Sequence, residues 1–323
     1  MQRETQSTTH GRGADIQSKS ELVLDSSFFV AFELAHESLR KGLRDGSCLN
    51  CSQYRVLIKL AAAAPEALTQ KELCHMLDLK PNVMTAAIDT LTEHGFALRK
   101  EKAAGARTVP VGITQEGIAH IQQANKAIIE QLYRIFPTQT APFRAVLEAA
   151  IMAGATIEPP LSGEMSRRFF ASRTLASFEV LRRKLEKSLE SACEGATYSE
   201  CRVLMRLGEA GKPLRVMDLS RQLRMTPATV VRACDRTEAR GWTRRLGSKA
   251  DRKAVYIAVT HDGLSMQQDI AACVDDIAQR FLWSRLTPER CQAIAQVGGV
   301  ILADLQEREE RERQKELADF ESL

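Results

Sequence analysis

The sequence predicts a mainly helical protein with small β-hairpins, built from two tandem copies of one domain whose long helices form a dimerisation-like bundle. The chain has 323 residues, enough for about two domains. Aromatic residues are only 5% of it, and it holds 18 glycines and 10 prolines, which favours helices over an all-β fold. A shift of 146 residues also aligns its first half with its second.

The internal repeat is densest between residues 68 and 117, where the alignment needs no gap. It pairs Pro81 with Pro227 and Gly95 with Gly241, among other identical residues. Because the repeating unit is nearly half of the chain, it indicates duplication of a whole domain and not a solenoid of short repeats.

The repeat and the local composition together predict the domain boundaries. The N-terminal segment is polar, and residues 152–166 carry the Pro, Gly and Ser of a linker. The expected order is a disordered tail at 1–20, a first domain at 21–151, the linker at 152–166, a second domain at 167–306 and a charged extension at 307–323.

Each copy has the same predicted order of elements: four helices, two strands and two more helices. Phe28, Phe32 and Leu39 follow helical spacing in the first helix. The fourth helix begins at a proline that follows Lys80 in one copy and Thr226, a good capping residue, in the other. The closing glycine of this helix marks the point where the apolar period changes.

Beyond that glycine, apolar residues alternate with a period of two. Val255, Ile257 and Val259 predict a strand, and residues 242–246 predict its partner, with the basic tip GSKADRK between them. A helix-turn-helix followed by such a hairpin is a winged helix-turn-helix. In that fold the helix after the turn enters a DNA major groove and the hairpin reaches the backbone or the minor groove.

The second copy resembles the MarR family of bacterial transcription regulators. The resemblance rests on TPATVVRACDRTEARGWTRRLGSKADRKAVYIAVTHDG, with the wing signature Asp251-Arg252-Lys253 and the ending Thr260 to Gly263. The first copy has Gly105-Ala106-Arg107 where the signature would align. The resemblance spans about residues 22–150 and 168–306 and is more specific in the second copy.

Membership of this family implies a sequence-specific, double-stranded DNA-binding regulator, expected here to act as a repressor. Its members usually bind as homodimers, so a tandem chain implies a single-chain pseudo-dimer. We expect four stretches to pack together: Phe28 to Leu43, Ile118 to Leu132, Leu175 to Leu189 and Leu264 to Leu305. The alternative is that each stretch packs only within its own domain.

The second winged helix carries the predicted DNA site. Val230, Cys234 and Thr237 follow core spacing, which turns other positions outward. Arg232 is the candidate for a bidentate guanine contact and Arg252 for the minor groove. The candidate DNA-binding residues of this copy are Thr226, Ala228, Val231, Arg232, Arg236, Arg245, Lys249, Arg252 and Lys253. For any single arginine, the alternative is a solvated surface charge.

The two copies differ in charge. Residues 214–253 hold 11 bases and 4 acids, a net of +7, whereas residues 68–107 hold 6 bases and 5 acids, a net of +1. Ala86 and Thr90 stand where Arg232 and Arg236 align. The first copy keeps the candidates Asn82, Thr85, Lys102 and Arg107. Because phosphate neutralisation dominates DNA affinity, we expect an operator with two unequal half-sites.

Cys48 and Cys51 form the C-x-x-C of a chain with eight cysteines. We expect free thiols near a helix junction, with a redox switch as the alternative. A zinc site would need further ligands at matching spacing.

The family resemblance also implies a sensory input. We expect either thiol oxidation or a small aromatic ligand in a crevice lined by aromatic residues, unless these residues are plain core. The candidate lining residues are Phe28, Phe32, His36, Phe170 and Phe178.

Other classes of protein fit the sequence less well. It has no phosphate-binding glycine loop and no hydrolase or zinc-protease motif, so we predict no enzyme and no cofactor. It has no apolar span or signal core, so we expect a cytoplasmic location without membrane contact. The alternative function is a tandem winged-helix scaffold that binds proteins without specific DNA binding.

Overall fold

The computed structural model describes residues 24–101, 109–136, 148, 150–152, 154–155, 167–247 and 255–321. The elements up to residue 135 are α1 (Ser26–Gly46), α2 (Cys51–Ala63), β1 (Leu68–Thr69), α3 (Gln70–Leu77), α4 (Pro81–Glu93), β2 (Ala97–Arg99), β3 (Pro110–Ile113) and α5 (Gln115–Ile135). The later elements are α6 (Phe170–Ala192), α7 (Tyr198–Ala210), β4 (Leu214–Arg215), α8 (Val216–Leu223), α9 (Pro227–Ala239), β5 (Thr243–Gly247), β6 (Val255–Val259), α10 (His261–Phe281), a 3₁₀ turn (Trp283–Arg285) and α11 (Pro288–Glu321).

The fold is mainly helical with two small antiparallel sheets. The order of elements from α1 to α5, called the first region below, recurs from α6 to α10, called the second region. The predicted two-stranded hairpins were wrong in one respect. Each sheet has three strands, in the orders β1-β3-β2 and β4-β6-β5. The extra strands pair Leu68 with Val111 and Leu214 with Ile257. A strand of two residues is too short to show alternation in a sequence, which explains the error.

The helices that follow each turn begin where the sequence predicted. Thr226 caps α9 by accepting a hydrogen bond from the backbone N–H of Thr229, and Pro227 takes the first helical position. Lys80 precedes Pro81 at the start of α4 but makes no side-chain capping bond. Proline suits this position because the first helical N–H has no partner inside the helix.

Two glycines allow the long helices to approach the wings closely. A Cβ on Gly263 would lie 2.0 Å from the carbonyl oxygen of Trp242, and one on Gly117 would lie 2.2 Å from that of Phe96. Both distances are far inside van der Waals contact, so each backbone approach requires glycine.

Helix α1 contributes to the core on both sides of the molecule. Leu39 belongs to a cluster that also holds Leu175 of α6. Phe29 lies in a second cluster with residues of α6, α7 and α10. Val30 lies in a third cluster with Val203 of α7. Helix α1 therefore takes part in all three clusters and contacts residues of both halves of the chain. The packing of the long helices as a pseudo-dimer stays a prediction.

The predicted domain boundaries have different outcomes. Helix α11 runs continuously through the predicted boundary between residues 306 and 307. The predicted tail at 1–20 and most of the predicted linker at 152–166 lie outside the described residues. Among the helices that the structure describes, none is both long and apolar enough to cross a bilayer.

Candidate nucleic-acid interface

The turn between α8 and α9 is fixed by contacts that the sequence analysis missed. Arg224 adopts a left-handed conformation (φ 51°), and Ser220 Oγ donates to the carbonyl of Met225 across the turn. Arg202 of α7, itself buried, donates from Nη2 to the carbonyl of Leu223 at the end of α8. These contacts orient α9 relative to the rest of the domain.

The face of α9 opposite the core is open to solvent. Val230, Cys234 and Thr237 are buried, in agreement with their spacing. Five of the predicted site residues are exposed together along the other face: Thr226, Ala228, Val231, Arg232 and Arg236. The helix therefore presents threonine, small apolar and arginine side chains on one surface, which are groups able to contact base edges.

The arginines of this region differ in their partners. Arg232 makes no ion pair with any residue that the structure describes. Arg236 Nη1 lies 3.6 Å from Oε1 of the fully buried Glu200. Arg245 forms ion pairs with Asp235 and Glu238 of α9, which offset its charge. Arg232 thus has the least compensated guanidinium of the three, whereas Arg245 chiefly ties β5 to α9.

Arg240 was not among the predicted site residues, yet it anchors the end of α9. It donates to the carbonyl oxygens of Glu194 (2.7 Å) and Gly195 (3.2 Å), and its guanidinium lies 4.9 Å from the ring centroid of Trp242. The sequence signal for this role is weak, because an arginine in a basic segment looks like any other.

Several predicted site residues lie outside the described residues. These are Lys249, Arg252 and Lys253 of the second copy and Lys102 and Arg107 of the first. Their assignment as DNA contacts therefore stays a prediction.

The corresponding face of α4 is exposed but carries no arginine. Asn82, Thr85 and Ala86 are open to solvent. Thr85 Oγ1 donates to the carbonyl of Pro81 (2.9 Å) and accepts from Gln70 Nε2 (2.7 Å). Two of the hydrogen-bonding positions of this hydroxyl are thus used within the protein, so less of its capacity remains for a base.

Cys48 and Cys51, for which a redox switch was the alternative to plain free thiols, have different surroundings. Cys48 is exposed and Cys51 is half-buried, and both are free thiols. Burial raises the pKa of Cys51 to about 12, with a further contribution from the charge and hydrogen bonding of Glu179. Since the thiolate is the reactive form, Cys51 lacks the lowered pKa that a redox switch requires.

Four of the five residues proposed for a ligand crevice, all except Phe170, contact one another through their rings. The rings of Phe32 and Phe178 stack with centroids 4.6 Å apart and planes at 6°. Phe28 and His36 are buried, and Phe170 is half-buried. Phe28, Phe32 and His36 are therefore core residues, and their position gives no support to the predicted aromatic ligand.

Comparison with known proteins relates one segment of the chain to a protein family. Residues 194–254 match the MarR family. This segment runs from the loop before α7 through the turn and α9 to the wing, so the chain carries a MarR family domain there. No curated protein sequence matches the chain.

Several solved structures also match part of the chain. YusO from Bacillus subtilis is 24% identical, and the match covers 41% of this chain and 88% of that one, with a TM-score of 0.31. Sco3205, a MarR family regulator from Streptomyces coelicolor solved with DNA, is 23% identical over 39% of this chain and 82% of its own, with a TM-score of 0.36. AbsC, a MarR family regulator from the same organism, is 23% identical over 40% and 86%, with a TM-score of 0.35.

Proposed function

We propose that this chain is a sequence-specific DNA-binding transcription regulator, acting as a repressor, that reads double-stranded DNA mainly through α9. The observation that carries the proposal is the MarR family match over residues 194–254. That segment includes the exposed face of α9 with its uncompensated Arg232. Arg232 is the residue that we assign to guanine, because its planar fork pairs with O6 and N7 together.

The proposal includes a single-chain pseudo-dimer made of two winged helix-turn-helix units, with boundaries close to 21–151 and 167–306. Its support is a reciprocal pair of contacts between α1 and α6. His36 Nε2 lies 2.9 Å from Glu179 Oε1, and Arg182 Nε lies 2.6 Å from Glu33 Oε1. Under the 146-residue shift, Glu33 aligns with Glu179 and His36 with Arg182.

Such reciprocity is the signature of a two-fold interface, in which residue i contacts j and the copy of j contacts the copy of i. The stacked pair Phe32 and Phe178 also consists of equivalent positions, as expected for residues that lie on the axis.

We further propose that the operator has two unequal half-sites. The region of α8, α9 and the second wing has a net charge of +7, and its counterpart in the first copy has +1. Each phosphate neutralised by a base adds affinity and salt dependence. The second copy is therefore expected to hold the strong half-site and the first copy the weak one.

The test is fluorescence anisotropy of the full chain on DNA from upstream of its own gene. A scrambled duplex serves as competitor, at about 50 and 200 mM salt. We expect binding that survives the competitor and falls steeply with salt. Equal affinity for both duplexes, or no binding at the lower salt concentration, would contradict the proposal.

A protein-binding scaffold is the second candidate function. One observation favours it: Met76 of α3 and Val83 of α4 are apolar and exposed by 43% and 38%, in a region whose exposed helix α4 carries no arginine. A complete lack of DNA binding in the same assay would favour this candidate.

A further inference from the structure

The exposed face of α4 is uncharged and consists of short side chains. Asn82, Val83, Thr85 and Ala86 are all open to solvent, whereas Met84 between them is buried. The first two turns of α4 contain no charged residue. Because residues three and four apart are neighbours on a helix surface, the four exposed residues form one patch. It lies in the N-terminal half of the helix, the part that contacts base edges in a helix-turn-helix.

The patch differs from the corresponding face of α9 at each of its four positions. In order, the residues of α9 that align with the patch are Ala228, Thr229, Val231 and Arg232. Each base pair presents its own pattern of donors, acceptors and methyl groups in the major groove. Two helices with different groups at all four positions are therefore expected to select different base pairs.

The side chain of Asn82 is available for a contact outside the protein. It makes no hydrogen bond to any residue that the structure describes. Its amide offers one acceptor and a donor group, which match the N6 donor and the N7 acceptor of adenine. Guanine presents two acceptors at the same edge and would leave the amide oxygen unpaired. Asn82 is therefore suited to adenine and not to guanine.

The other residues of the patch offer methyl groups. Val83 and Ala86 have no other group to offer, and Val83 is exposed by 38%. The hydroxyl of Thr85 is bonded to Pro81 and Gln70, so its methyl is the group left for a contact with DNA. In the major groove, thymine is distinguished by its C5-methyl group. Contact between methyl groups removes apolar surface from water, which favours thymine over cytosine.

We propose that the weak half-site is an A·T element, in which Asn82 contacts adenine and the side chains of Val83 and Ala86 contact thymine methyl groups. The assignment rests on the proposed function and adds the bases that the first region reads. The strong half-site keeps the guanine assigned to Arg232. Because the two half-sites then differ in sequence, the operator is not a palindrome and the chain binds it in one orientation. A homodimer of identical subunits has no such preference.

The first test is selection of duplexes by the full chain from a pool with a random central segment. We expect the recovered sequences to share guanine in one half and A·T pairs in the other. Asn82→Ala should remove the preference for adenine, which a bidentate contact makes about fivefold or more. Arg232→Ala should instead remove the preference for guanine in the other half.

Three other results of the selection would count against the proposal. A palindromic motif, or guanine at equivalent positions of both halves, would overturn it and leave the proposed function intact. A motif in which one half stays random would show that α4 reads no bases, and would favour a protein partner for its exposed face. No enrichment at all would overturn the proposed function, and the proposal with it.

The second test removes single groups from the recovered duplex and measures binding by fluorescence anisotropy. Deoxyuridine in place of thymidine removes only the C5-methyl group. In the A·T half it should weaken binding by about threefold or more, as expected for loss of a buried methyl. A guanosine analogue with carbon in place of N7 should weaken binding by about fivefold or more in the other half only.

The variant Val83→Ala connects the thymine methyl group to α4. In this variant the affinity ratio between the thymidine and deoxyuridine duplexes should fall from about threefold to about 1.5-fold or less. A misfolded fraction lowers the active concentration for both duplexes alike, so it cannot change this ratio. The matched control Leu264→Ala, on a residue of α10 that is 40% exposed, should keep the wild-type ratio. A wild-type ratio in Val83→Ala, or no effect of deoxyuridine in either half, would overturn the assignment of thymine.

Discussion

The helices α4 and α9 are held by equivalent neighbours that use different chemistry. In the second region the buried carboxylate of Glu200 faces Arg236 at 3.6 Å. In the first region Gln53 Nε2 donates to Thr90 Oγ1 at 3.1 Å. The position and the partner helix are the same, but an ionic contact in one region is a neutral hydrogen bond in the other.

The ends of the same helices show a similar replacement. Arg240 covers the ring of Trp242 at 4.9 Å in the second region. In the first, His94 stacks on Phe96 at 5.3 Å, and Phe96 stacks on His120 at 4.2 Å. Packing of a cation or a histidine on an aromatic ring holds the helix end in either case. The end of the helix is therefore held with or without a charged arginine. Only the proposed contact with DNA phosphates depends on that positive charge.

The largest expected effect on stability comes from the glycine that each region places against a backbone carbonyl oxygen. Gly263→Ala and Gly117→Ala would each place a Cβ about 2 Å from a backbone carbonyl oxygen. Overpacking against backbone that cannot yield should lower the free energy of unfolding by about 3 kcal/mol or more. Urea denaturation measures the loss in both variants. The control Gly247→Ala meets no atom within 4 Å and should cost much less. A tolerated alanine at only one of the two positions would show that the regions do not share this contact.

The contact that joins the two regions predicts a dependence on pH. Burial alone would raise the pKa of Glu179, but the hydrogen bond and charge of His36, with Cys51 and Arg40, lower it from 4.5 to about 2. A lowered carboxyl pKa contributes stability that is complete above pH 4.5 and is lost as the pH falls toward 2. The contribution at neutral pH is about 3 kcal/mol at most.

Glu179→Gln should therefore be less stable than the wild type at pH 6, and the difference should shrink on acidification. Denaturation midpoints at a series of pH values measure it. A difference that stays constant down to pH 3 would refute the linkage.

Replacement by alanine of the residues proposed to contact bases should weaken DNA binding unequally in the two regions. Arg232→Ala should weaken specific DNA binding by about 10- to 100-fold, because a bidentate base contact contributes about 1–3 kcal/mol. Thr85→Ala should have a much smaller effect, since that hydroxyl already bonds to Pro81 and Gln70. Anisotropy on the operator measures both variants, with Lys126→Gln on α5 as a charge-removing control. Equal losses for Arg232→Ala and Thr85→Ala would contradict the unequal half-sites.

The smallest effect concerns the ion pairs between each wing and its helix. Arg99 Nη2 lies 2.6 Å from Asp89 Oδ1, and Arg245 pairs with both Asp235 and Glu238. These groups are largely exposed, so Arg99→Met and Arg245→Met should each cost about 0.5 kcal/mol or less. Thermal unfolding at low and high salt measures the cost, which should vanish at high salt. A loss of several kcal/mol in either variant would show that the pair is not simply a screened surface contact.

Local signals in the sequence predicted the elements well and the contacts of the candidate site less well. Thr226 and Pro227 mark the start of α9 because a cap and a fixed φ act within one turn. Spacing also predicted the buried positions Val230 and Cys234 correctly. The sequence alone gave no sign that Arg245 faces two carboxylates, since that pairing follows from how β5 lies against α9.

Other contacts of the candidate site do have a recognisable pattern in the sequence. Thr197 and Glu200 stand three residues apart and form a capping box at the start of α7. That spacing predicts the helix start, but the approach of Arg236 to the same carboxylate is a tertiary contact. Arg55 and Arg202 both donate to the carbonyl at the end of the next helix, and each stands five residues after the N-cap of its own helix, Asn50 or Thr197. Identity at equivalent polar positions was the signal for this pair.

The sharing of α1 between the two regions also has a consequence for synthesis. Phe28 and Phe29 leave the ribosome long before several residues that share their cluster, which belong to α6, α7 and α10; α10 ends at residue 281. At 5–20 residues per second, α10 is complete roughly 10–50 s after α1. During that time its aromatic face is a target for chaperones and for neighbouring nascent chains. A premature stop after α5 would leave this face without these partners, so α10 must be synthesised before the aromatic face of α1 is covered by it.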